Sequence, residues 1–130
     1  MHDLAWLDAT SLADLVRTKK ISPAELVDAA IARSEKLQPE LNALITPMYE
    51  QAREAAKGEL PDGPFRGVPF LVKDILAAVA GVPMTSGSKF TKSFVPAFDT
   101  ALVTRYRRAG LVIMGKTNTP EFGFVPTTEP

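Results

Sequence analysis

Val68-Pro69-Phe70-Leu71-Val72, which ends at Lys73-Asp74, and Leu111-Val112-Ile113-Met114 are two short apolar runs, and what lies between them decides the fold. Each begins after a glycine and reads as a strand buried on both faces. Pro69 sits near the start of the first run, where a missing amide is tolerated. A long loop follows, marked by Gly81, Pro83 and Met84-Thr85-Ser86-Gly87-Ser88. Asp99 then suits the N-cap of a helix that carries Leu102, Val103, Tyr106 and Ala109 inward and stops at Gly110. Strand, helix, strand with apolar strands is a parallel crossover, so the expected architecture is α/β.

The segment before this unit reads as helical. Ser22-Pro23-Ala24-Glu25 combines an N-cap, proline at the first helical position and a capping-box glutamate. Leu26, Val27, Ala30, Ile31, Ser34 and Leu37 follow at helical spacing, and Pro39 is expected to end the helix. Asp8 or Thr10 should start a shorter helix that buries Leu12, Leu15 and Val16. A third helix should span Met48 to Lys57, with Gly58 as its stop. The expected organisation is one domain, helical over 1–60 and β-loop-α-β over 61–130.

Composition excludes several function classes. Fifteen Lys+Arg balance fifteen Asp+Glu, so net charge points to neither nucleic acid nor an anionic membrane. There is no cysteine, hence no disulfide, thiolate nucleophile or Cys-based zinc site. The single histidine, His2, is a poor anchor for a catalytic base, which argues against His-dependent triads and His-rich metal sites. No apolar run approaches membrane-spanning length and nothing resembles a targeting signal, so the expected location is cytoplasmic.

Gly110-Leu111-Val112-Ile113-Met114-Gly115-Lys116-Thr117 matches the phosphate-loop pattern G-x-x-x-x-G-K-T. Its context is inverted: a helix precedes it, its variable positions are large and apolar, and Asn118-Thr119-Pro120 stands where a helix should continue. Nucleotide binding is therefore the least favoured reading.

Lys73 ends the first strand, at the carboxyl edge where open α/β sheets place their ligands. Two readings stand for it. One is a solvated lysine paired with Asp74; the other is a base, because apolar surroundings disfavour an ammonium and leave an amine able to accept a proton. Lys116 and Asn118 read as ties between a loop and neighbouring backbone, and Glu121 as a cap or loop partner. Phe122 and Phe124 read first as core packing and second as pocket lining. Arg105, Arg107 and Arg108 read as the solvated, C-terminal face of their helix.

The blocks Gly67-Val68-Pro69-Phe70-Leu71-Val72-Lys73-Asp74, Thr85-Ser86-Gly87-Ser88, Asp99 through Gly110, and Gly115-Lys116-Thr117-Asn118-Thr119-Pro120-Glu121-Phe122-Gly123 closely resemble the amidase signature family in order and spacing. Ile21-Ser22-Pro23-Ala24-Glu25-Leu26 and Leu41-Asn42-Ala43 resemble its N-terminal region. The resemblance implies an α/β fold in which these residues form the N-terminal helices and the first parallel β-α-β part, truncated. It also implies a hydrolase of carboxylic amide C–N bonds that needs no cofactor and no metal. A serine attacks, a second serine in a cis peptide relays protons, and a strand-end lysine drives the relay. Lys73 matches that lysine; Thr85, Ser86 and Phe124 match positions expected to shape the substrate pocket.

One departure is large. The family's Gly-Ser-rich block, which supplies both serines, has no counterpart among these 130 residues, so the chain alone is expected to be inactive. Ile75, Met84 and the segment after Phe122 also differ from many members, and favour a stand-alone amidase acting on aliphatic or cyclic amides over a glutamine-using amidotransferase subunit. The expected ligand is a small-molecule amide; the expected partner is a second copy or the remainder of the amidase fold. The alternative function is a non-catalytic module that completes its fold on another chain.

Overall fold

The structure, a computed structural model, describes residues 4–129, and His2 lies outside the described residues. The elements in order are α1 (Ala9–Arg17), α2 (Pro23–Leu41), β1 (Leu44–Pro47), α3 (Tyr49–Lys57), β2 (Pro69–Lys73), α4 (Ala101–Arg108) and β3 (Val112–Thr117), with single 3-10 turns at Leu4–Trp6, Lys89–Thr91 and Glu121–Gly123. The sheet order is β1-β3-β2, with β3 parallel to β2 and antiparallel to β1. The α/β architecture expected from sequence is what forms.

Local chemistry explains the helix starts. Ser22 accepts from the Glu25 amide while Glu25 reaches back to the Ser22 amide, closing the capping box around Pro23. Asp8 caps α1 by accepting from the Ser11 amide at 2.8 Å. Thr100, rather than the expected Asp99, caps α4. The Asp99 carboxylate is drawn instead to the Ala80 amide at 2.8 Å and the Arg107 guanidinium at 2.9 Å. Burial works to raise its pKa, but those two donors hold it below the ordinary 3.8.

Three expectations are corrected. Pro39 does not end α2, which continues to Leu41 and turns out through Asn42 at φ 45°. The Gln38 side chain holds that last turn, accepting from the Leu44 amide and donating to the Leu44 carbonyl. Within the half read as helical, Leu44–Pro47 forms a strand. Finally, β3 runs through Gly115 and Lys116 to Thr117 rather than stopping at Met114.

The sheet is packed on both faces. On one, Val27, Ala30 and Ile31 of α2 and Ala52 and Ala56 of α3 meet Val112 and Met114. On the other, Val103 of α4 and Ala77, Val79 and Val82 of the loop after β2 cover Val72 and Ile113. The pairing of β2 with β3 contains a bulge: Phe70 faces Ile113 and Leu71 faces Gly115, so Met114 is passed over. Val72 therefore faces Lys116, and Lys73 faces Thr117.

Gly110 closes α4 at φ +87°, and a Cβ there would lie 2.5 Å from the Arg66 Cα. Gly110→Ala is expected to destabilise the fold by roughly 2–4 kcal/mol, adding left-handed strain to overpacking. The urea midpoint of the intact protein checks it; a loss near zero would mean that the turn relaxes. Among the described residues no helix is long and apolar enough to cross a membrane.

Candidate functional site

The carboxyl ends of β2 and β3 lie side by side, and the loops that leave them pack together. The Asp74 amide donates to the Thr117 carbonyl at 3.0 Å, extending the ladder one residue beyond β2. At φ +68°, Gly87 lets its backbone meet that of Thr119, whose carbonyl would lie 2.5 Å from an added Cβ. The Phe122 amide donates to the Ser86 carbonyl at 2.8 Å, and the Ser88 hydroxyl donates to the Glu121 carboxylate at 2.6 Å. Two segments more than thirty residues apart in sequence thus form one rim.

Lys73 and Asp74 separate at this edge. Lys73 is exposed at the last position of β2, so the apolar surroundings expected of a base are not supplied by the described residues. Asp74 is 0% exposed, and its Oδ2 accepts from the Thr85 amide at 2.9 Å and the Thr85 hydroxyl at 2.6 Å. Its Oδ1 lies 3.4 Å from Nζ of Lys116, which is also 0% exposed. The same ammonium donates to the Ala77 carbonyl at 2.8 Å. Burial pushes the Lys116 pKa below the ordinary 10.5, and the Asp74 carboxylate works against that push. The pairing of Lys73 with Asp74 is therefore corrected: Asp74 faces inward, to Lys116.

A strained turn spans the residues between these two contacts. Leu76 has φ 61°, and the Ala77 amide donates across it to the Ile75 carbonyl at 2.8 Å. A three-residue turn with positive φ at its centre is the rare form of γ-turn. A non-glycine residue held this way costs on the order of 1–3 kcal/mol and persists only where its surroundings impose it. Leu76 itself is 83% exposed.

The expected substrate residues fall on the same rim in different ways. Thr85 is half-buried and locked to Asp74; Ser86 is half-buried at φ 51° and ties the rim together through its carbonyl. With Thr46, Ser88, Lys89, Asn118 and Glu121, Thr85 lines a groove of about 630 Å³. Phe124 is 85% exposed and packs edge-on against Phe122 at 6.4 Å, so the core reading of these two rings is corrected. Asn118 does tie backbone, through its amide to the Ala43 carbonyl and its side chain to the Asn42 carbonyl.

Lys116 also ties backbone, through its bond to the Ala77 carbonyl, but its expected place in a loop is corrected. It is a buried strand residue rather than a loop residue, and the sequence hides this because the apolar run ends at Met114. The available signal is Gly115, whose missing Cβ admits Leu44. The phosphate-loop match fails for the same reason, since Gly115-Lys116-Thr117 pairs with strands on both sides and the lysine amine faces inward. Among the described residues no group of three or more His, Cys, Asp or Glu could hold a metal ion.

Comparison with known proteins gives a consistent result. Residues 25–130 match the Amidase family. The chain is 46% identical over 127 residues to a 6-aminohexanoate-cyclic-dimer hydrolase of Paenarthrobacter ureafaciens, covering 96% of this chain and 25% of the relative. It is 39% identical to a glutamyl-tRNA(Gln) amidotransferase subunit of Solidesulfovibrio magneticus, covering 99% and 27% respectively. It superposes on a structure of 6-aminohexanoate cyclic dimer hydrolase complexed with substrate at a TM-score of 0.91 and 46% identity, over 98% of this chain and 26% of that one. The chain thus spans about a quarter of the length of these proteins.

Proposed function

Since the chain belongs to the amidase family, we propose that it contributes the base to a hydrolase of carboxylic amide C–N bonds, with Lys73 in that role. The observation that carries this reading is the division of labour at the end of β2. Asp74 is turned inside and held by Thr85 and Lys116, which leaves the adjacent Lys73 amine exposed at the ligand-bearing edge and unneutralised by its neighbour.

The chemistry follows from what an amide requires. A serine Oγ forms a bond to the carbonyl carbon as its proton passes through a second serine to the Lys73 amine. Fixed donors hold the oxyanion. The proton then returns to the departing nitrogen as the C–N bond breaks, and water releases the acyl group by the reverse relay. Both serines come from a Gly-Ser-rich segment that these 130 residues do not contain. Ser88 is unsuited to the part, being nearly buried and bonded to Glu121. Thr85, Ser86 and Phe124 border the substrate. No metal or cofactor enters the scheme.

Higher identity to the cyclic-dimer hydrolase than to the amidotransferase subunit favours a stand-alone enzyme acting on aliphatic or cyclic amides. The test is amine release from 6-aminohexanoate cyclic dimer and from linear aliphatic amides. The intact protein is expected to hydrolyse at least one of them, and the 130-residue chain alone none. Turnover by the short chain that depends on Lys73 would overturn the assignment of the serines to another segment.

A further inference from the structure

Lys116 sits beneath the turn that follows Lys73, and the two groups it touches flank that turn. Asp74 lies immediately before Ile75-Leu76-Ala77, and the Ala77 carbonyl lies at its end. An ammonium excluded from water has two partners to satisfy, and drawing them together shortens the path between them. That path is the strained turn centred on Leu76. The other contacts of this stretch act outside the turn: the Asp74 amide donates to the Thr117 carbonyl, Asp74 Oδ2 is held from the side by Thr85, and Gly123 approaches Ile75 from the rim.

We propose that Lys116 is a positioning residue for Lys73: its buried ammonium clamps Asp74 to Ala77, closes the strained turn, and so holds the chain leaving β2 in the path that sets where the Lys73 amine stands. This rests on the reading of Lys73 as the base. It explains why a lysine lies inside a central strand, and why a leucine is held in a backbone conformation that suits glycine. Lys116 does not touch the substrate; it acts through the backbone of residues 74–77.

The test uses the intact protein. Lys116→Met keeps the side chain's bulk and removes the ammonium. It is expected to lower kcat at least tenfold, corrected for folded protein, with KM within threefold. Leu76→Gly relieves the strain without the clamp, so the Lys116→Met/Leu76→Gly double variant is expected to be at least fivefold more active than Lys116→Met. A merely structural role predicts a lower unfolding midpoint, unchanged kcat per folded molecule and no rescue, and that result overturns the proposal.

If Lys116→Met does not fold, Leu76→Val decides, because it opens the turn from its exposed side. A β-branched residue is poorly suited to positive φ, so kcat should fall at least fivefold, and wild-type kcat overturns the clamp. Hydrogen exchange at the Ala77 amide separates this proposal from the amidase reading. Faster exchange there in Lys116→Met or Leu76→Val, with Ile31 inside α2 still protected, supports the clamp even if the wild type hydrolyses no amide, which would sink only the catalytic reading. Unchanged exchange at Ala77 overturns the clamp.

Discussion

Lys73→Met in the intact protein is expected to lower kcat/KM for amide hydrolysis by about 10²–10⁴, the usual contribution of a positioned general base. The expectation follows from the place of Lys73 at the carboxyl end of β2 and from the commitment of Asp74 to other partners. Methionine retains the stem and deletes the amine, so the loss reports proton transfer rather than packing. In the 130-residue chain, where Lys73 is exposed, stability should hardly change, within about 0.5 kcal/mol, because the neighbouring carboxylate is already paired elsewhere. The combination is the diagnostic. Steady-state kinetics beside a urea titration would give it, and a variant within threefold of wild type would remove Lys73 from the mechanism.

Asp74→Ala should have the opposite profile, a large loss of stability. Removing one partner of a buried ion pair leaves the other charge uncompensated, which costs about 3–5 kcal/mol. Here the carboxylate also accepts two bonds from Thr85, so the loop that carries Ser86 and Ser88 would lose its anchor together with Lys116. Asp74→Asn should fall between, since an amide oxygen can still accept from Thr85 but offers no charge to Lys116. Denaturant unfolding reads both. A loss below about 1 kcal/mol for the alanine variant would mean that water reaches Lys116 once the carboxylate is gone.

What the sequence can show depends on whether the cause is local. Ser22-Pro23-Ala24-Glu25 reads directly as a helix start, because cap, proline and glutamate act within one turn. The crossover is legible for a similar reason: β2, α4 and β3 each carry an apolar pattern of their own. Leu44-Ile45-Thr46-Pro47 carries none, and exists as a strand only because β3 lies beside it. Pro39 should break α2, yet the Gln38 side chain, bonded to both the amide and the carbonyl of Leu44, holds the last turn from outside.

The site divides in the same way. Lys73 is visible as the polar end of an apolar run. The partner of Asp74 is not, because Lys116 lies 42 positions away and Gly115-Lys116-Thr117 has the composition of a loop. The exposure of Phe122 and Phe124 likewise reflects what packs beside them rather than their own hydrophobicity.

The residue passed over in β3 sets a rule about strand length. If β2 and β3 kept the regular phase that pairs Phe70 with Ile113, Lys116 would stand opposite Lys73 rather than Val72. Two like charges would then be neighbours, a destabilising arrangement across strands. By alternation Lys116 would also share the face of Met114, among the apolar side chains of α2 and α3, and Asp74 would lose its buried counter-ion. The extra residue thus acts as a phase change that turns one lysine from the wrong side of the sheet to the right one. Loss of position 114 would leave Gly115-Lys116-Thr117 in register with β2 and cost the packing of one side chain, about 2–5 kcal/mol, together with the carbonyl that accepts the Met48 amide. Gain of a residue between Met114 and Lys116 would rotate the lysine out of its place altogether. Among descendants of this sequence, apolar substitutions at 114 should be common, deletions there rare, and insertions absent.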